Sequence, residues 1–205
     1  MPTALVIDGH PDQHSLTAAI ARRYAAGHGD AELLALRDLS FDPHLRYGYH
    51  QRMTLEPDLV SARGALHAAD RVVVASPLWW GSTPALLKGF FDRAFLPQQE
   101  YRFSKLGLPE GLIPANHGRL FLLADTPWYF VPFTRLPAQR QIVGNTLRLS
   151  GIRRVRTHRM LGVKNASPTR IARWLALAEE IGESDGRRDR GIRSTAPSFS
   201  YCAQP

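Results

Sequence analysis

The stretch V-V-V-A-S-P-L-W-W-G-S-T-P-A-L-L-K-G-F-F-D-R-A-F fills residues 72–95, and its two halves obey different periods. The β-branched run R-V-V-V-A over 71–75 reads as a short buried strand. Pro84 stands where the first turn of a helix accepts proline, and the pattern from there to Phe95 is helical. An aromatic turn joins them, although turns that only connect elements favour small polar residues. Two accounts of Trp79 and Trp80 are open at this point: they plug the edge of a core, or they offer a flat apolar surface to a planar partner. Gly81 likewise either lets that partner approach closely or simply serves the turn. Lys88 and Asp92, four apart on the helix, read as a surface pair rather than a catalytic one.

Working outward, the strand–helix alternation repeats. An apolar run over 4–7 ends near Asp8. From Ser15 onward Leu16, Ala19, Ile20 and Tyr24 recur at helical spacing, closing at Gly27 and Gly29. A second strand is expected over 31–37, a long connection over 38–57, a helix over 58–69 and a Gly/Pro-rich loop over 97–118. A strand over 118–124 and a helix over 133–149 follow, then a strand over 152–158. A last helix over 169–181 is begun by Ser167 and Pro168. Five such βα units predict an α/β domain over residues 1–182, its parallel sheet covered on both faces. Ligands of such sheets bind beyond the carboxyl ends of the strands. The polar segment 183–205 reads as a C-terminal extension rather than a second domain.

Composition narrows the class without choosing a ligand. A chain of 205 residues with 44% hydrophobic residues can bury a sizeable core. Its 26 Lys and Arg against 18 Asp and Glu give a formal charge of +8, which suits nucleic acid, an anionic surface or a phosphorylated ligand. The densest basic runs are R-R-V-R at 153–156 and R-R-D-R at 187–190. Neither is interleaved with aromatic residues, so no nucleic-acid partner is expected. One cysteine, Cys202, excludes an intrachain disulfide framework and a multi-cysteine metal site. No apolar run approaches the roughly 20 residues that cross a bilayer, and the start M-P-T-A-L-V-I-D-G-H lacks the basic opening of a secretory leader. A cytoplasmic protein without stable membrane insertion is the expectation.

Three loops follow the first, third and fourth expected strands and should open on one rim. G-H-P-D-Q-H-S-L-T over 9–17 is neither a Walker loop nor a dinucleotide fingerprint. It enters a helix with Ser15 and Thr17 in the first turn, where free backbone N–H groups and hydroxyls hold phosphate oxygens, or where Ser15 is only a cap. His10 and His14 add donors. P-L-W-W-G-S over 77–82 places backbone N–H groups beside large apolar faces. A-D-T-P-W-Y-F-V-P-F over 124–133 offers Asp125, Thr126 and Tyr129 beside Trp128 and Phe130. No G-x-S-x-G elbow is present, and the histidines lack metal-ligand spacing; no metal is expected.

These loops together resemble the flavodoxin-like NAD(P)H:quinone reductase family, which includes oxidoreductases ancillary to potassium efflux systems. The resemblance runs over about residues 2–182 and is most specific over 72–95, with support from G-H-P-D-Q-H-S-L-T and from Y-R-F-S-K-L-G-L-P-E-G-L over 101–112. It implies a flavodoxin-like three-layer sandwich with a five-stranded sheet in the order 2-1-3-4-5. It implies FAD or FMN as cofactor, FAD being placed first, and NAD(P)H as donor of two electrons to a quinone or similar conjugated acceptor. Carried onto this chain, His10, Ser15, Leu16 and Thr17 surround the flavin phosphate. Pro77, Leu78, Trp79, Trp80 and Gly81 flank its ring. Asp125 and Thr126 occupy places where the family often has two threonines, and Tyr129 lies near its substrate-side tyrosine. Family members commonly form homodimers. Azo or nitro compound reduction and an ancillary role at a membrane transporter are the alternatives that the resemblance leaves. One departure stands out: Pro127 and Trp128 replace two glycines, removing an amide donor and filling space.

Overall fold

Strand β1 (Ala4–Asp8) up to its last residue, and the centre of β3 (Arg71–Pro77), are continuously apolar, the mark of strands covered on both faces. The computed structural model describes residues 3–134 and 136–195. Besides these two it contains β2 (Ala31–Ala35), β4 (Tyr101–Phe103), β5 (Pro109–Gly111), β6 (His117–Ala124) and β7 (Arg154–Leu161). Five of them form one parallel sheet in the order β2-β1-β3-β6-β7, which is 2-1-3-4-5 once the small β4–β5 hairpin is set aside.

Alternation along the strands sorts the core into two halves. Leu5, Ile7, Val72, Val74, Leu120 and Leu122 face α2 (Pro57–Ala68) and α3 (Ala85–Ala94), meeting Leu59, Leu66, Leu87 and Phe90. Val6, Val73, Ala75, Phe121 and Leu123 face α1 (Leu16–His28) and meet Ile20 and Tyr24. Helix, sheet and helix thus make three layers. Phe90 is fully buried, and cutting it to alanine costs about 3–5 kcal/mol.

Four expected elements differ. The second strand stops at Ala35, and Leu36–Asp38 form a 3-10 turn that brings Arg37 toward the sheet. The loop 97–118 contains the β4–β5 hairpin, tied down by the buried Glu100, which accepts from Arg63 at 2.6 Å and from the Leu96 amide at 2.8 Å. The helix expected over 133–149 is interrupted. A 3-10 turn (Trp128–Phe130), α4 (Val131–Thr134), α5 (Pro137–Arg140) and a π-helical stretch (Gln141–Arg148) replace it. The cause is Pro137: the residue before a proline is driven out of helical space, and Leu136 sits at φ 41°.

The fourth difference is the largest. The final helix α6 runs over Pro168–Thr195, so the boundary placed after residue 182 falls inside it; residues 196–205 lie outside the described ones. Gly27 and Gly182, which looked like helix ends, are crossing points of α1 and α6. A Cβ on Gly182 would lie 2.3 Å from the Tyr24 carbonyl oxygen, so only glycine allows this approach. Of the two glycines expected to close α1, Gly29 is its end, and its φ of 78° permits the left-handed cap. Polar residues of the second half of α6 are buried because they meet partners: Asp185 and Asp189 pair with Arg71 and Arg119 beneath the sheet.

Candidate functional site

The loop after β1 is clamped before it reaches the helix. Asp8 ends the strand fully buried, where a lone carboxylate would be costly. It accepts from Arg37 Nη1 at 2.6 Å and from the His10 amide at 3.2 Å, while the same guanidinium nitrogen donates to the His10 carbonyl at 3.3 Å. The Asp12 amide donates to His10 Nδ1 at 2.9 Å, so the neutral ring carries its proton on Nε2. Burial holds the His10 pKa below its ordinary value, outweighing the pull of Asp8 and Asp12. The imidazole stands edge-on to Trp79, 5.3 Å between centroids. His14, by contrast, is exposed and its ring meets Gln13 at 3.2 Å.

Ser15 is the N-cap of α1: its Oγ accepts from the Ala18 amide at 3.1 Å. That leaves the amides of Leu16 and Thr17 without carbonyl partners in the helix, and no acidic side chain competes in the first turn. The cap is therefore present, and it leaves two amides directed out of the helix end, so the two readings of this loop do not exclude each other.

The aromatic turn is a tight two-residue hairpin. Trp79 and Ser82 exchange amide-to-carbonyl bonds of 2.9 and 2.8 Å. Trp80 and Gly81 between them both take positive φ, 51° and 77°, as a type I′ turn demands. For a tryptophan that conformation is strained. Trp80 is fully exposed and Trp79 is 43% exposed, so neither plugs the core. Gly81 serves the turn, and its carbonyl accepts from the Ala138 amide at 3.1 Å. The amides of Leu78, Trp79 and Ser82 are spent on main-chain bonds. Among the described residues those of Trp80 and Gly81 are not, which narrows the donor set that the sequence suggested.

Beyond β6 the exposed Asp125 accepts from the Lys164 amide at 2.6 Å and so ties this loop to the one after β7. Pro127 begins the 3-10 turn, and Trp128, Tyr129, Phe130 and Phe133 all stand largely exposed. Trp128 and Tyr129 pack edge to face at 5.9 Å.

A cleft of about 160 Å³ joins these loops at the carboxyl ends of the strands. His10, Ser15, Leu16 and Thr17 line one side; Pro77, Leu78 and Trp79 line another; Leu123, Ala124, Asp125 and Val163 close it. Eight residues singled out in the sequence thus converge, while Trp80, Gly81, Thr126 and Tyr129 lie outside its lining. Asp8, Arg37 and Val163 were missed. A carboxylate closing an apolar strand was a signal that a buried cation must be near; nothing in the pattern marked Val163. Chemically, the cleft offers uncharged donors at one end and an aromatic wall at the other.

The profile of the flavodoxin-like fold family matches residues 2–181. The chain belongs to that family. This flavodoxin-like chain is 31% identical over 134 residues to the FMN-dependent NADH:quinone oxidoreductase of Rhizobium meliloti (strain 1021), covering 59% of this chain and 63% of that protein. It is 38% identical over 52 residues to NAD(P)H dehydrogenase (quinone) 1 of Rattus norvegicus, covering 25% of this chain and 19% of that one. Both matches span less than two thirds of the relative. Among solved structures, a Streptococcus mutans protein superposes with TM-score 0.79 at 22% identity, covering 88% of this chain and 98% of that chain. NAD(P)H:quinone oxidoreductase from Methanothermobacter marburgensis gives 0.75 at 19%, with 89% and 98% covered. An azoreductase from Bacillus anthracis gives 0.68 at 16%, with 90% and 100% covered. Among the described residues no helix is long and apolar enough to cross a membrane.

Proposed function

We propose that this protein is a flavin-dependent NAD(P)H oxidoreductase that reduces quinones or similar small conjugated acceptors as a cytoplasmic homodimer. The observation that carries the reading is the cleft itself, in which an open helix N-terminus and an aromatic wall share one cavity. The names of the Rhizobium and rat relatives support it. The donor set fits a flavin: Leu16 and Thr17 amides and the Nε2 proton of neutral His10 suit phosphate oxygens, and Trp79 suits a planar ring.

Bound FMN or FAD would supply the two-electron chemistry, taking hydride from NAD(P)H and passing it to the acceptor, which no side chain here provides. The chain's own residues bind and orient. Arg37 and Asp8 fix the entry of the phosphate loop through a buried ion pair. The free amides of Trp80 and Gly81 offer directed donors to a ring edge, and the turn holds them rigid through its exchanged hydrogen bonds. Asp125 positions the loops after β6 and β7 rather than donating to a ligand. Tyr129 presents a phenolic proton on the acceptor side, and Trp128 narrows that side where the family's glycines leave it open.

Two features support homodimerisation. The cleft, at about 160 Å³, is smaller than the roughly 300–1,000 Å³ of sites that enclose a ligand, as expected where a second subunit completes the walls. Beside it stand the exposed Trp80, Trp128, Tyr129, Phe130 and Phe133, an apolar patch suited to a second copy. An ultraviolet-visible spectrum of the purified protein, with chromatography of the released ligand, is the direct test. Flavin bands and NAD(P)H-dependent turnover of a benzoquinone above that of azo and nitro acceptors are expected. A colourless protein that takes up neither flavin overturns the reading.

A further inference from the structure

The two basic runs R-R-V-R and R-R-D-R have no part in the flavin cleft, yet the fold brings them together. Arg154 and Arg156 of edge strand β7, with Arg153 just before it, share a cleft of about 450 Å³ with Arg188 of α6 and with Arg148. It opens at the amino ends of β3 and β6, the opposite end of the sheet from the proposed flavin site.

Its floor and its rim differ in charge balance. On the floor, buried Arg71 and Arg119 are matched by Asp185 and Asp189, with nitrogen–oxygen distances of 2.6 to 2.8 Å for the paired forks. Along the rim, Arg148, Arg153, Arg154, Arg156 and Arg188 are exposed, and among the described residues none has a carboxylate within ion-pair distance. Elsewhere among the described residues some arginines are paired, Arg23 with Glu179, Arg37 with Asp8, Arg63 with Glu100 and Arg93 with Glu56, and others such as Arg22, Arg52 and Arg173 are not; what sets the rim apart is five such groups gathered in one cleft. Guanidinium groups cannot relieve crowding by losing a proton. The register sharpens the conflict, because Arg156 stands directly opposite Arg119 on the neighbouring strand. Like charges so placed are destabilising. His158 beside them stays neutral: burial and then Arg119 push its pKa down to about 4, and its Nε2 lies 2.9 Å from Arg119 Nη1.

We propose that this arginine cleft binds a compact anion carrying two or more phosphate groups. Bidentate guanidinium forks match phosphate oxygens, and a concave cluster of five unneutralised forks suits several phosphates at once. The lining holds no phenylalanine, tyrosine or tryptophan and one imidazole, His117, among its many guanidinium groups, so the recognition rests on pairing with phosphate rather than on an aromatic platform for bases. The volume fits an oligophosphate within the range of small-ligand sites.

Isothermal titration of the full-length protein with inorganic triphosphate, at physiological salt, tests this. Saturable one-to-one binding is expected, at least tenfold tighter than sulfate, and weakened at least tenfold in Arg153→Glu/Arg156→Glu and in Arg188→Glu. Arg52→Glu/Lys105→Glu carries the same charge change at exposed positions outside the cleft and is expected to bind within twofold of the parent. Without ligand, Arg156→Gln is expected to raise the melting temperature by removing the opposed charge, while losing the triphosphate response. Vesicles bearing a phosphoinositide bisphosphate distinguish the sources: tighter binding than its soluble headgroup assigns a lipid, equal binding a free metabolite. No triphosphate binding, binding matched by sulfate, or binding unchanged in both cleft variants overturns the proposal, as does tight binding of duplex RNA without triphosphate binding.

Discussion

At the carboxyl end of the sheet a cleft with neutral donors lies next to a strained turn and exposed rings; at the amino end a buried charge lattice supports a crowded basic rim. At the first end Asp8 and Arg37 form a nearly buried ion pair behind the cleft lining, and they hold a loop in place. At the second, Arg71, Arg119, Asp185, Asp189, Tyr24, His28 and His158 interlock across three strands and two helices. The contrast shows one fold using charge in two ways: sparingly where a ring is to be stacked, densely where a long helix must be locked to the sheet.

The sharpest way to break this comparison is Asp185→Ala. It strips Arg119 of its fork partner and leaves a buried guanidinium unpaired, so a loss of about 3–5 kcal/mol is expected in urea denaturation. A loss under 1 kcal/mol would mean that the lattice is not what holds α6. Acid titration comes next. The folded His158 pKa of about 4 lies below its ordinary 6.5, so the unfolded chain binds more protons between the two. Stability therefore falls as pH drops from 6.5 toward 4, by at most about 3 kcal/mol, and His158→Gln flattens that slope. Asp189 adds a further loss at lower pH. Burial tends to raise its pKa, but hydrogen bonds from His28 and Arg71 hold it at about 2 against an ordinary 3.8, and stability present above 3.8 is lost as pH falls through 2.

The carboxyl end makes smaller demands on stability. Trp80→Asn installs a residue that tolerates positive φ and should raise stability by about 1–2 kcal/mol in thermal melts, while weakening flavin retention or dimer formation. A stability gain with flavin affinity and oligomeric state untouched would strip Trp80 of any functional role. Ser15→Ala removes the cap and is expected to cost about 1 kcal/mol, with a parallel rise in the flavin dissociation constant read by fluorescence quenching.

The strand-turn-helix of residues 72–95 and the apolar run of β1 carried the layer order and the rim of the sheet, because hydrophobic period and turn chemistry are local properties. Loop chemistry pointed to the three loops, and the family resemblance then named eight residues that line the cleft. Local signals misled where a residue's reason lay across space. Gly182 looked like a helix end, yet it is a contact with Tyr24 more than a hundred residues away in the chain. Asp185 and Asp189 fall in the polar segment read as an extension, yet they are buried against arginines from β3 and β6.

The sequence by itself therefore determined the alternation of elements, the cap at Ser15 and the aromatic turn, all set by neighbours a few residues apart. Only the tertiary structure decided how far α6 runs, which amides of the turn stay free, and that two separate basic runs share a cleft. Those outcomes rest on backbone contact and charge pairing between distant segments, and no local pattern in a chain encodes which partner will be there.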